Sequence, residues 1–220
     1  MTFLQKHHGQ MSDSMLTAFF IILSGGLQDA YTYCCRGKVF ANAQTGNIVL
    51  LSTHLFEGDW GQALRYLVPV LAFLLGIYIA ECVHRHFKRM EKVHWRQLII
   101  LAEIVLLAAV GFLPETLNVV VALYPIFFAM SIQWSSFGGA RGFYSSTIFS
   151  TNNTKQSSLA LAEYLCDHDR AHLRKMRFYL ATLGCFHVGA SWAFCAVKWW
   201  FTRGSLAVLP LVAWGYFLAV

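Results

Sequence analysis

Charge is what this sequence has least of. Asp, Glu, Lys and Arg make up 13% of its 220 positions, against 57% hydrophobic ones. Soluble domains carry about 25% charged residues. A water-soluble core cannot absorb so much apolar sequence, so a soluble enzyme or binding module is excluded. The chain reads as one all-α integral membrane domain, residues 1–220. Catalytic signatures are missing too: there is no GxSxG, HExxH, Walker loop or Rossmann fingerprint. No CxxC pair occurs among Cys34, Cys35, Cys82, Cys166, Cys185 and Cys195. That argues against a disulfide framework or zinc site and for free, buried thiols. No enzyme activity, cofactor or metal is therefore expected. The polar start "MTFLQKHHGQMSD" leads into an apolar run without a clean cleavage site, so that run is expected to be a first span rather than a signal peptide.

What is present is a series of long apolar runs. A span needs about 20 mostly apolar residues. Six segments qualify: Ser14–Cys35, Gln62–Val83, Gln97–Pro114, Thr116–Phe137, Arg177–Phe201 and Gly204–Val220. The loop "HRHFKRMEKVHWR" carries five Lys or Arg and is assigned to the cytoplasm. Alternation then puts both termini inside, with twelve of the seventeen basic residues on that face. The net charge of +6 is thus a topology signal, and no nucleic-acid partner is expected. Trp60, Trp95, Trp199 and Trp200 fall near span ends, where tryptophan anchors at the interface.

The chain also resembles itself. A shift of 105 residues lays "GLQDAYTYCCRGKVFANAQTGNIVLLSTHL" on "SIQWSSFGGARGFYSSTIFSTNNTKQSSLA". Gln28 meets Gln133, Arg36-Gly37 meets Arg141-Gly142, Asn47 meets Asn152, and Ser52 meets Ser157. Each matched stretch follows one long span and precedes another. Three spans per copy is an odd number, so the second copy enters the membrane from the opposite side. The expected architecture is six transmembrane helices as two inverted three-helix repeats, about 14–114 and about 116–220.

The polar stretch "FANAQTGN" inside so apolar a chain then has a reading. The run "IVLLSTHLF" that follows is too short to cross, spanning about 15 Å. Irregular backbone at membrane depth is tolerated only when buried in protein or lining a cavity. Each repeat is therefore expected to hold a broken or re-entrant half-helix. Thr45 or Asn47 would cap the first, and Ser150-Thr151-Asn152-Asn153 would open the second. Two helix N-termini facing each other would form a small polar site. Its candidate residues are Gln28, Asp29, Thr45, Gly46, Asn47, Gln133, Ser150, Thr151 and Asn152, with Arg36 and Arg141 steering anions.

Acids within spans are costly and usually functional. Asp29 and Glu103 are proton-relay candidates. Glu81, near a span end, would snorkel, and Glu163 would pair with a basic loop. The segment "CDHDRAH" places His168 and His172 four apart but reads as a solvated loop, as does "HRH" at 84–86. His187 would be satisfied by a neighbouring helix. Gly25-Gly26, Gly138-Gly139, Gly76/Ala80 and Gly189/Ala193 are small-residue sets that let helices approach closely.

At "SGGLQDAYTY" and "VFANAQTGNIVLLS" the chain resembles the YoaK family, bacterial six-span membrane proteins with a domain of unknown function. The matching positions are Gly26, Asp29, Ala30, Phe40, Thr45, Gly46 and Asn47. In the second half the family's Thr-Thr-x-x-Thr-Gly appears as Ser146-Thr147-Ile148-Phe149-Ser150-Thr151, without its glycine. The resemblance implies a bacterial plasma membrane and names no activity. The functional expectation is a secondary transporter of a small polar or anionic solute. The alternatives are an oligomeric channel, and a non-transporting scaffold or sensor. Expected partners are the lipid bilayer, a small solute or ion, and a homo-oligomer of the chain.

Overall fold

Long apolar runs fold as helices because a helix pairs its own backbone N–H and C=O groups without help from water. The computed structural model describes residues 15–87, 95–114, 117–140, 143–146 and 148–219. The helices are α1 (Met15–Cys35), α2 (Gln44–Phe56), α3 (Trp60–Phe87), α4 (Trp95–Phe112), α5 (Val119–Ser136), α6 (Ser150–Asp167), α7 (Arg170–Trp200) and α8 (Leu209–Ala219). A short antiparallel hairpin pairs Gly139–Ala140 with Phe143–Tyr144, and a 3-10 segment, Phe201–Val208, joins α7 to α8.

The six apolar segments all fall in helical chain, within a few residues at each end. Four stretches are long and apolar enough to cross a membrane: Trp60–His86, Trp95–Phe112, Val119–Ser136, and Arg170–Gly215, which runs through α7 into α8. α1 is not among them, because Ser24, Gln28 and Asp29 interrupt its apolar run. α2 is 13 residues long, about 20 Å, which is short of a bilayer. α6 departs from the expected half-helix. It has 18 residues, about 27 Å, and is polar through Thr154, Lys155, Gln156, Ser157 and Ser158.

Local chemistry sets the helix ends. The Asn118 side chain accepts from the Val120 N–H at 2.9 Å and starts α5. Asp169 accepts from the Ala171 N–H at 2.8 Å and starts α7. His168 adopts a left-handed φ of 54° and ends α6. "CDHDRAH" is therefore a tight corner rather than a loop. There His172 is held by Glu163 at 3.0 Å and Asp167 at 3.2 Å, and Lys175 pairs with Glu163 at 3.2 Å. Glu81 pairs with Arg85 at 2.6 Å. His187 is exposed on α7 rather than turned to a neighbouring helix.

α1 packs on α7 and α8, α3 on α5 and α2, α6 on α7, and α4 on α5 and α8. Small residues permit the tightest crossings. A Cβ on Gly26 would strike the Phe186 carbonyl of α7, and one on Gly189 would strike the Leu23 carbonyl of α1. A Cβ on Gly76 would strike Ser131 Oγ of α5. The core between these helices includes Ile21, Leu27, Tyr31, Ile100, Leu107, Leu123, Ile126, Phe127 and Met130. The cysteines depart from expectation: all six are free, but none is buried and Cys34, Cys82, Cys166 and Cys195 are exposed. Cys34, Cys82 and Cys195 lie on exposed faces of apolar helices, so their apolar neighbourhoods in sequence did not mean burial in protein.

Gly189→Ala is expected to destabilise the protein by about 1–3 kcal/mol, because backbone, not a movable side chain, blocks the methyl group. Gly184→Ala on the same helix meets nothing within 4 Å and is expected to be neutral or stabilising by up to about 1 kcal/mol. Unfolding of both variants in detergent micelles checks the pair.

Candidate binding site

α1 ends in a turn at Gly37 and Lys38, with φ of 81° and 63°. The chain then returns along α1 as an irregular stretch before α2 begins. Its polar groups are met one by one. The Asp29 carboxylate accepts from the Asn42 N–H at 2.8 Å. Thr32 Oγ1 accepts from the Ala41 N–H at 3.0 Å, and the Asn42 amide donates to the Gly25 carbonyl at 2.8 Å. Asn47, fully buried, closes the loop from the other side. Its Nδ2 donates to the Phe40 carbonyl at 2.9 Å and its Oδ1 accepts from the Phe40 N–H at 3.3 Å.

These contacts correct the expected capping. The residue at the N-cap of α2 is Ala43, and no side chain caps it. Thr45 lies exposed in the first turn, and Asn47 turns back to the loop instead. Gly46 faces the Phe40 ring.

The second half repeats the loop clamp one residue later than the sequence match placed it. Asn153, not Asn152, is buried. Asn153 Nδ2 donates to the Ser146 carbonyl at 3.0 Å, seven residues back, as Asn47 does to Phe40. Its Oδ1 accepts from Ser145 Oγ at 3.1 Å. α2 starts at Gln44 and α6 at Ser150, so the register here is 106 rather than 105. Thr151 and Asn152 are exposed and Ser150 is half-buried. Trp134 occupies the position matching Asp29. It packs edge-on against Phe149, with ring centroids 5.3 Å apart. An aromatic pair thus stands where the first half uses a carboxylate on backbone amides.

The two helix starts are not brought face to face. α2 packs on α3 and α6 on α7, and among the described residues they share no interface of comparable extent. α1 is instead met by polar side chains from α4 and α5. Ser24 Oγ of α1 donates to Glu103 Oε1 of α4 at 3.2 Å. Gln133 Nε2 of α5 donates to the Ile21 carbonyl of α1 at 3.1 Å. Gln28 lies one turn beyond Ser24. Ser24, Gln28, Glu103 and Gln133 are each 0% exposed. Both ends of the Gln28 amide, Glu103 Oε2 and Gln133 Oε1 have no hydrogen-bond partner. Each such group costs about 1–3 kcal/mol if left so, and buried polar groups are normally matched. This stretch of α1 and its partners on α4 and α5 therefore keep hydrogen-bonding capacity that no group among the described residues uses.

Of the other expected residues, Arg36 is buried just past α1, and Arg141 lies outside the described residues. Sequence reasoning missed Ser24 and Asn42, and matched Asn47 with Asn152 rather than Asn153. Asn42 was visible inside "FANAQTGN", and Asn153 adjoins the residue chosen. Ser24 gave no signal, since its importance comes from a partner 79 residues away.

Four helical stretches apolar enough to cross a bilayer, together with buried polar groups inside the helical body, are the features of a helical protein of membrane type. The chain belongs to the family described as protein of unknown function, DUF1275, which it matches over residues 17–219. No curated protein and no solved structure matches it.

Asn47→Ala and Asn153→Ala are each expected to cost about 1–3 kcal/mol, since both strand loop carbonyls away from water. Asn152→Ala is expected to stay within about 0.5 kcal/mol of the parent. Equal losses at Asn152 and Asn153, measured by unfolding in detergent, would reject the 106-residue register.

Proposed function

We propose that the chain is a secondary transporter of a small polar or anionic solute, built as two inverted repeats of three spans each. One observation carries this reading. Exchange α1 with α5, α2 with α6, α3 with α7 and α4 with α8, and the main packing pairs return. α1 on α7 becomes α5 on α3, α2 on α3 becomes α6 on α7, and α4 on α5 becomes α8 on α1. α4 on α8 maps to itself. In this reading the three spans are α1, α3 and α4 in the first half and α5, α7 and the 3-10 segment with α8 in the second, so the second half enters from the opposite side. Two related halves around one polar centre have two related ways to open.

The solute site in this reading is the Ser24, Gln28, Glu103 and Gln133 centre, where the halves meet. Glu103 is the coupling acid, because one of its oxygens is uncommitted. Asp29 holds the loop that leads into α2. Both termini are cytoplasmic by the distribution of Lys and Arg. The motif likeness to the YoaK family supports a bacterial plasma membrane. The loop clamps at Asn47 and Asn153 also suit a non-transporting scaffold, so the test must separate the two.

Gln28→Cys and Gln133→Cys, each in a background without the six native cysteines, would be treated with a membrane-impermeant thiol reagent from either side. Transport predicts reaction at both positions, with the reactive side changing as pH or solute is changed. Reaction from both sides at once supports a channel. Protection of both positions in folded protein under every condition rejects transport and leaves the scaffold.

A further inference from the structure

Arg36 is the first residue beyond α1 and only 2% of it is exposed. A buried acid can take up a proton and lose its charge, but an arginine cannot shed its own. Its counter-charge must therefore come from elsewhere. Its Nε donates to the Tyr31 hydroxyl at 3.0 Å, and the guanidinium lies 5.7 Å from the centroid of the same ring. Its Nη2 is buried without a hydrogen-bond partner. None of the described carboxylates pairs with it. The C-terminal carbonyls of α1 favour a cation here, and the Arg36 N–H donates to the Thr32 carbonyl at 2.9 Å. That partial charge neither matches a whole buried ion nor engages Nη2.

A second, weakly engaged donor sits at the same place. Ser205, on the 3-10 segment, is 0% exposed, and its hydroxyl approaches the Tyr31 hydroxyl without forming a well-aligned hydrogen bond. The Tyr31 proton is already used, donating to the Thr202 carbonyl at 2.6 Å. The Tyr31 hydroxyl thus takes the Arg36 Nε–H and has the Ser205 O–H beside it, while the Nη2 donors of the same guanidinium stay unclaimed. We propose that Arg36 and Ser205, arranged around Tyr31, bind one small monovalent anion. The charge follows from electrostatics. One buried cation balances one negative charge, and a dianion would leave a net charge in a low-dielectric place. Anions are drawn there by exposed Lys38 and Arg203 and by Arg65 beside Gly37. This binding requires neither transport nor the central polar site.

The test is thermal unfolding of the full chain in detergent. Sodium gluconate is replaced stepwise by sodium chloride, nitrate or formate at constant ionic strength. The wild-type melting temperature is expected to rise and saturate with at least one of the three. Ser205→Ala is expected to raise the half-saturating concentration by about tenfold, for one hydrogen bond to an ion. Arg36→Gln is expected to unfold at a temperature independent of the anion. The proposal is overturned if the wild type does not respond. It is equally overturned if the rise never saturates, as for a general salt effect, or persists unchanged in Arg36→Gln. Should Arg36→Gln fail to fold, an unshifted Ser205→Ala titration overturns it alone. A negative result here leaves the thiol-labelling outcome standing, and the reverse also holds.

Discussion

Everything in this structure depends on keeping non-helical backbone satisfied where water is scarce. Two irregular stretches interrupt a body of apolar helices, one before α2 and one before α6. Each would be untenable with its N–H and C=O groups unmet. Asn47 and Asn153 answer that need in the same way, reaching back seven residues to a loop carbonyl. An amide is suited to this task because it donates and accepts at once. Around those clamps the halves then diverge. Asp29 binds backbone amides in one, and Trp134 packs on Phe149 in the other.

That divergence matters for function. A symmetric pair of loops would give two equivalent half-sites. Here the Asp29 carboxyl group helps anchor the first loop, and an aromatic pair takes the matching place in the second, so among the described residues the two anchors differ in chemistry. The polar centre is asymmetric as well, since Glu103 of α4 reaches α1 through Ser24. Packing is shared between the halves while chemistry is not. Tight crossings at Gly26, Gly76 and Gly189 hold the helices close enough for short polar side chains to meet across them.

The buried groups divide by how they can be compensated. Glu103 has the option of taking a proton, and the Gln28 and Gln133 amides need only hydrogen bonds. Arg36 has no such option, and that is why its surroundings point to an anion rather than to a proton. The 3-10 segment between α7 and α8 contributes Ser205 to that place and the Thr202 carbonyl that fixes Tyr31. A stretch that hydropathy alone treats as a connector is thus part of a polar cluster.

Much of the fold was legible in the sequence, because apolar run length and helix length are tied by the same rise per residue. The six apolar segments, the short α2, the close packing at Gly26, Gly76 and Gly189 and the paired loop asparagines all follow from patterns along the chain. The polarity of Gln28, Asp29, Arg36 and Glu103 in apolar surroundings also marked them as costly. Which partner each one has was not legible. Hydrogen bonding in three dimensions chose Asn153 over its neighbour Asn152, and gave Asn47 to the loop rather than to a helix cap. Burial of the cysteines was misjudged because an apolar helix in a membrane has an outer face that no protein covers. Composition determined what kind of molecule this is. Tertiary packing alone decided which polar groups meet, because those meetings join residues as far apart in sequence as Ser24 and Glu103.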